Sequence, residues 1–577
     1  MLKKCLVAFR WSILLYIFLG FVAQFFSTIG IWSLQVVVDR VVTAKHYTEL
    51  VPEITLYGAI LIIAAITHYI LEYPHTYLSH SIFEKLKIMA LSKVSKIDYA
   101  AYQNIGTGEM IKVIENGAAA GRNMIHSFYL QILHDLLPTV IFSLLFLSFY
   151  NREVMIIILA GYIIIFIMSY ALLRVMYRIK TSLLEKQENM SKYSIRGFME
   201  LVVFRLNKRY VQEISRLRIT ADEVVKKNVQ IKMIHESFFS IFALFVIVIK
   251  IVVLAYGVKS VISDESSIGV ILALLLLIDQ VYTPIAIFNV LFVEYKLDRV
   301  TYNRFENFLN APEDINLEQG TEIVAFRGNV EFQHVSFAYG NFKLLHNMTF
   351  SIKQGSTVAI VGLSGSGKST IIKLILGLLK KSSGHILLDG VNIDEVKLNS
   401  LYNHISYVSQ EAPIFDTTIR ENIVFDEQMT DEQIYEILDD VHLKETVWNF
   451  PDRLNTMVGE RGMKLSGGER QRLAFARIIA QQRSFVILDE PFSALDHYTE
   501  QNVMNSLTSL LSDKTIVIIT HQLHFLEHVD HILLVKNGVM VGEGSFKQLL
   551  HSNIYFQQLW DNDVTDKRKP VVMELKE

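Results

Sequence analysis

Six long apolar stretches crowd the first three hundred residues of this 577-residue chain, near 11–38, 54–77, 128–150, 154–177, 238–258 and 268–293. They constrain the fold more than any other feature, because roughly 20 mostly apolar residues in a helix cross a bilayer core about 30 Å thick. Six membrane-spanning helices are therefore predicted. The chain as a whole is 51% apolar, too rich for an ordinary soluble protein, and the excess sits in runs such as 142–149, 155–168, 238–253 and 269–278. Lys3, Lys4 and Arg10 precede the first stretch as they would a signal peptide. That stretch is too long and lacks a small-residue cleavage site, so it is read as a span.

Basic residues orient the spans. With the N-terminus inside, the outward loops 39–52, 151–153 and 259–267 hold only Arg40, Lys45, Arg152 and Lys259, whereas the inward segments 85–122 and 174–232 are rich in Lys and Arg. This places the chain in the cytoplasmic (inner) membrane as a multi-pass protein with its C-terminal part in the cytoplasm. No Gly or Pro falls between Gly161 and Gly197, or between Gly197 and Gly257, so helices run on past the membrane. One helix over 154–197 would be on the order of 65 Å long, and the surplus projects inward. The segment 54–96 behaves alike, with Pro74 as a kink. Two inward hairpins result, turning around 104–115 and 200–209.

A polar linker, Asn310-Ala311-Pro312-Glu313-Asp314, ends this region. The domain boundary is expected near residue 320, giving a membrane domain over 1–319, an α/β domain over 320–560 that opens with an alternating strand at 330–337, and a charged tail over 561–577. The net charge of −3 and the absence of a basic stripe with interleaved aromatics exclude nucleic acid as a partner. Cys5 is the single cysteine, which excludes an internal disulfide framework and a multi-cysteine metal site.

Chemistry enters with Gly362-Leu363-Ser364-Gly365-Ser366-Gly367-Lys368-Ser369, a P-loop set between the apolar run Val358-Ala359-Ile360-Val361 and a helix beginning Thr370-Ile371-Ile372. Glycines let backbone N–H groups of such a loop face phosphates at a helix N-terminus. Gly362, Ser364, Gly365, Ser366, Gly367 and Thr370 are thus candidate nucleotide contacts, Lys368 reaches the β/γ-phosphates and Ser369 ligates Mg²⁺. Val486-Ile487-Leu488-Asp489-Glu490 is an apolar strand ending in two carboxylates. Asp489 is expected to hold Mg²⁺ directly or through water, and Glu490 to be the general base that orients the attacking water. Between the two lies Leu465-Ser466-Gly467-Gly468-Glu469.

That last peptide resembles the signature of ATP-binding-cassette (ABC) proteins. Six spans with two long inward hairpins and one ATPase domain resemble an ABC exporter half-transporter: an all-α membrane domain followed by an α/β P-loop domain. Gly108-Glu109-Met110-Ile111 matches that family's first coupling helix, whereas Phe204-Arg205-Leu206-Asn207-Lys208 departs from the usual second. The resemblance implies further roles. Tyr339 stacks on adenine, Gln410 senses Mg²⁺ and touches the coupling helices, and His521 holds the γ-phosphate and the base. Ser466, Gly467 and Gly468 close over the nucleotide of the opposite subunit, Ser493-Ala494-Leu495-Asp496 joins the two sites, and Gly459-Glu460-Arg461-Gly462 links cassette to hairpins. Glu469 stands where glutamine is commoner. ATP and Mg²⁺ are the implied ligands, and a dimer is required, with a homodimer favoured over a heterodimer because Glu490, His521 and Ser466-Gly467-Gly468 are all intact.

Charges inside spans cost about 2.5–3.5 kcal/mol each on insertion scales and face a cavity or a partner. Lys250, Asp279, Glu72 and Asp135 are such positions. Lys250 and Asp279, at similar depth, are expected to pair or to contact a polar substrate within the membrane. Gln24, Gln35, Gln280 and Trp32 are additional candidates. With nothing before the first span, a cargo-trimming peptidase domain is not expected. The resemblance implies ATP-driven export of an amphipathic peptide, drug or lipid. An ATP-gated regulator and an importer on the same fold stay as alternatives.

Overall fold

The computed structural model describes residues 2–150, 153–161, single positions between 163 and 186, 205–425, 428–459, 462–492, 494–523 and 525–568. The chain divides into two compact units: Met1–Ser95 with Ile105–Ala311, and Lys96–Asn104 with Pro312–Glu577.

In the first unit, helix α1 (Arg10–Thr43) and helix α2 (Val51–Val94) are both long and apolar enough to cross a membrane. At 44 residues α2 is on the order of 65 Å long, twice a bilayer core. Pro74 lies inside it, buried, and the helix continues on both sides. A short helix, α3 (Tyr99–Ile105), all but its last residue in the second unit, and Gly106, with φ 75°, follow α2. Helix α4 (Thr107–Arg122) then leads through two π-helical stretches, Asn123–Leu130 and Ile132–Leu136, into α5 (Leu137–Tyr150), and Gly108–Tyr150 as a whole is a candidate span. Pro138 has no N–H to give to the carbonyl four residues back, which is one physical source of the changed winding before it. Helix α6 (Tyr210–Ile262) is a further candidate span, and α7 (Ile268–Leu309) opens with the shorter apolar stretch Ile268–Pro284. The fourth expected span beyond residue 161, and the second inward turn before residue 205, lie outside the described residues.

Polar side chains fasten the ends of α1 and α5 and the start of α7. Asp39 of α1 accepts from Ser267 Oγ (2.7 Å) and from the Gly269 backbone N–H (2.8 Å) at the start of α7. A Cβ at Gly269 would meet Asp39 Oδ1 and the Gln35 carbonyl at 2.6 Å, so only glycine permits this approach. Tyr150 of α5 donates to Gln35 Oε1 at 2.5 Å. Deeper in the bundle, Gln280 of α7 bonds Ser27 and Ser143.

The second unit holds two sheets. Strands β1 (Val330–Tyr339), β2 (Phe342–Ile352), β4 (Ser383–Leu388) and β5 (Val391–Asn392) form an antiparallel sheet in the order β2-β1-β4-β5. The other sheet runs β10-β9-β3-β8-β7-β6, from β3 (Thr357–Val361), β6 (Ile405–Val408), β7 (Phe485–Asp489), β8 (Thr515–Thr520), β9 (His531–Lys536) and β10 (Val539–Gly544). Its β9-β3-β8-β7-β6 strands are parallel. Every residue of β7 and β8 is buried, as expected for parallel strands covered on both faces. Val361, Leu473, Phe475 and Leu488 share one apolar core, while Val330, Phe332, Ile371 and Ile487 share the other. Helices α8 (Lys368–Ile375), α9 (Ile419–Ile423), α10 (Asp431–Asp440), α11 (Gly467–Gln481) and α12 (His497–Leu510) complete what the site needs. Residues 96–104 belong here because their backbone pairs with the linker: Asp98 N donates to the Pro312 carbonyl (3.0 Å) and Asp314 N to the Lys96 carbonyl (2.9 Å).

Candidate nucleotide site

The site gathers at the carboxyl ends of β3, β6, β7 and β8, where open parallel sheets bind ligands. Between β3 and α8 the chain passes through Gly365 and Gly367 with φ of 78° and 105°, the left-handed region that favours glycine. Lys368 Nζ donates to the carbonyls of Gly362 (2.8 Å) and Leu363 (3.1 Å). Burial lowers its pKa, against the pull of Glu490 and Asp489. Ser366 Oγ is buried without a hydrogen-bond partner. A glycine cradle with an ammonium and an unsatisfied hydroxyl fits a phosphate chain.

Asp489 is buried at the end of β7, and desolvation first, then the neighbouring Glu490, raises its pKa, while a hydrogen bond from Ser369 opposes the shift. Ser369 and Asp489 are thus already paired, a hard-oxygen donor set that fits Mg²⁺. Glu490 follows in a left-handed conformation, φ 48°. Its Oε2 accepts from Gln410 Nε2 at 2.8 Å, and its Oε1 lies 3.4 Å from His521 Nδ1. A cleft of about 10 Å³ between Glu490, Pro491, Phe492, Thr520, His521 and Gln522 adjoins it, close to the least that holds one water. Tyr407, beside the same strand ends, has its phenol pushed up by burial and then by Asp489.

The remaining expected contacts lie at helix starts and at a strand end. Ser466 caps α11 in a capping box, its Oγ accepting from Glu469 N (3.3 Å) while Glu469 Oε2 accepts from Ser466 N (2.7 Å). A glutamate at 469 therefore completes the helix start. Gly467 and Gly468 face Ala494 and Leu495. Asp496 caps α12, accepting from Thr499 N (3.0 Å) and Oγ1 (2.7 Å), and those bonds hold its carboxyl below the usual range. Tyr339, at the end of β1, is 42% exposed, available to a stacking base. Thr370 is buried in the first turn of α8. Ser493, Glu460 and Arg461 lie outside the described residues.

Residues 13–285 match the family described as ABC transporter transmembrane region, and residues 345–493 match the family described as ABC transporter. The chain belongs to the ABC transporters. Among similar proteins, the uncharacterized ABC transporter ATP-binding protein YwjA of Bacillus subtilis is 32% identical over 61% of this chain. The match spans 60% of YwjA, about three-fifths of its length. The putative multidrug export ATP-binding/permease protein YgaD of the same organism is 27% identical over 88% of both chains. The ATP-dependent lipid A-core flippase of Desulfotalea psychrophila is 27% identical over 83% of this chain and 84% of its own. The solved structure of a bacterial Atm1-family ABC exporter with ATP bound shares the fold, with a TM-score of 0.82, 22% identity, and coverage of 97% and 99%.

In the membrane unit of this ABC transporter, Lys250 and Asp279 form an ion pair, with Nζ 2.7 Å from both carboxylate oxygens. Glu72 is exposed and accepts from Thr76 Oγ1 at 3.3 Å. Asp135 is half-buried in the second π-helical stretch. None of the four lines the apolar cavity of about 390 Å³ between α6 and α7, whose walls include Leu254, Val258, Ile262, Ile271 and Leu275. The resemblance implied that His521 holds the base, but neither the left-handed Glu490 nor the bond it accepts from Gln410 is legible in the sequence. Residues 80 and 31 positions apart offer no local pattern to announce such a meeting.

Proposed function

We propose that this ABC transporter hydrolyses ATP to export an amphipathic peptide, drug or lipid by alternating access, as a homodimer in the cytoplasmic membrane with its cassette inside. The observation that carries the reading is the Glu490 carboxylate, held by Gln410 and facing His521, beside a water-sized cleft and next to the Ser369–Asp489 pair. Glu490 orients and polarises a water, and His521 and Gln410 keep its two oxygens in place. Lys368 and the loop N–H groups stabilise charge on the phosphates. Mg²⁺, with Ser369, Asp489 and Gln410 as its holders, supplies charge neutralisation on the phosphates when bound. Tyr339 stacks on the base, and Ser466, Gly467 and Gly468 serve the nucleotide of the second copy. The lipid flippase and multidrug export relatives support the substrate class. Lys250 and Asp279 are its polar contacts in the membrane.

The test is ATPase activity of the chain purified alone and reconstituted in lipid, beside Glu490→Gln, with candidate substrates scored by stimulation in wild type and Lys250→Met. Turnover abolished in Glu490→Gln with ATP binding kept is expected. Equal turnover in both removes Glu490 as the base, and unchanged stimulation in Lys250→Met removes the membrane pair from substrate contact.

A further inference from the structure

Arg477 lies on α11 beyond the signature glycines, and its guanidinium is fastened to one loop. Nε donates to the Asn422 carbonyl (2.9 Å), Nη2 to Asn422 Oδ1 (3.1 Å) and Nη1 to the Pro413 carbonyl (3.1 Å). Phe415 and Phe425 lie against the same group, ring centres 5.3 and 4.9 Å from Cζ, and meet each other edge to face at 5.4 Å. Burial lowers its pKa to about 10, so the charge persists at neutral pH. These partners are uncharged, so an ion pair does not explain the cost of desolvating the cation. A planar fork that engages two carbonyls, an amide oxygen and two rings does, and lysine cannot copy it.

The loop itself is stiff. Asn422 is fully buried, and its Nδ2 donates to the Phe415 carbonyl (2.9 Å), Thr417 Oγ1 (3.0 Å) and the Thr418 carbonyl (3.1 Å), while its Oδ1 also accepts from Phe415 N (2.9 Å). A tight turn joins this body to Gln410: Ala412 is left-handed, φ 44°, and its N–H bonds the Ser409 carbonyl at 2.9 Å. One guanidinium therefore links the loop that follows Gln410, which touches the base Glu490, to the helix whose first turn is Ser466-Gly467-Gly468.

We propose that Arg477 is a positioning residue for ATP hydrolysis, holding the Gln410 loop and the signature helix at one spacing so that a chain's own base and the signature it offers the second copy are set together. This rests on the ATPase reading above.

The experiment compares wild type, Arg477→Lys and Arg477→Met as full-length chains in lipid. Methionine keeps an apolar stem and leaves no unpaired charge. Two readouts are taken: kcat and KM for ATP, and amide hydrogen exchange of peptides covering 409–425 and 468–481 without nucleotide. In both variants kcat is expected to fall about tenfold with KM changed less than about twofold, the pattern of an interaction made in the transition state. Exchange is expected to rise in 409–425 and stay level in 468–481. A third variant, Arg477→Ala, leaves space for the missing group, and guanidinium ion added at concentrations that leave wild type unaffected should restore part of its rate. Wild-type kcat in Arg477→Lys and Arg477→Met, or unchanged exchange across 409–425, overturns the proposal. A wild-type chain without turnover counts against the ATPase reading instead, and the exchange comparison then decides the fastening by itself.

Discussion

At Glu490 the backbone and the side chain are constrained together. A φ of 48° costs a non-glycine residue on the order of 1 kcal/mol or more, and the N–H is held by the Ile519 carbonyl at 2.9 Å. His521 comes from the adjacent β8 end and Gln410 from the β6 end, so the carboxylate is aimed from the strands on either side of β7. His521→Ala removes one of these partners and leaves Gln410 in place. Since positioned acid–base groups contribute about 10²–10⁴-fold, turnover is expected to drop about tenfold to a hundredfold with ATP binding retained, read by ATPase assay and nucleotide titration. Normal turnover would take His521 out of the site. The residues that a sequence reader finds here are those whose chemistry is contiguous, since Gly362 to Ser369 and Asp489-Glu490 each carry their function in one short run. Gln410, His521 and Tyr339 came only through family resemblance, because sheet order, not spacing, brings β6, β7 and β8 ends side by side. Glu469 was legible in principle, since Ser466 followed by an acid three residues on is a capping box.

Among the helices, the Asp39 clasp is the contact with the clearest energetic consequence. It supplies an acceptor to the first turn of α7 from a different helix, and Gly269 leaves room for it. Asp39→Ala strips both bonds and is expected to destabilise the chain by about 1–2 kcal/mol, the usual worth of a helix cap. Gly269→Ala should do the same through the 2.6 Å clash, whereas Gly30→Ala, whose nearest neighbour would lie at an ordinary 3.8 Å, should be tolerated. Thermal unfolding in detergent ranks the three, and a Gly269→Ala protein as stable as Gly30→Ala would show that the clasp is slack. Apolar length announced α1, α2, the 128–150 span and α6, because a bilayer imposes length. It could not announce that α1 runs on through Asp39 to Thr43, or that the winding turns π before Pro138, since neither changes the apolar pattern. Nor does local sequence mark residues 96–104 as part of the cassette unit. Their bonds to Pro312 and Asp314 join positions more than two hundred residues apart.

For the whole molecule, one membrane region and one cassette in a single chain make half of a transporter and imply a second half. Lys368, Ser369, Asp489, Glu490, Gln410 and His521 come together, and Gly467 and Gly468 of the signature lie against Ala494 and Leu495. In a two-fold dimer each chain's signature can complete the other's site. Mixing damaged chains tests this directly. A dimer of Glu490→Gln with Ser466→Ala places both lesions in one site and leaves the second with a normal base and a normal signature. Each variant alone carries a lesion in both sites. Random pairing makes about half the dimers mixed, so co-expressed chains should recover up to about a quarter of the wild-type ATPase rate if the sites turn over independently. The measurement is the rate of the co-purified mixture against each variant alone. A mixture no faster than the better single variant would show that the sites are not shared and independently competent, and it would set the homodimer reading aside.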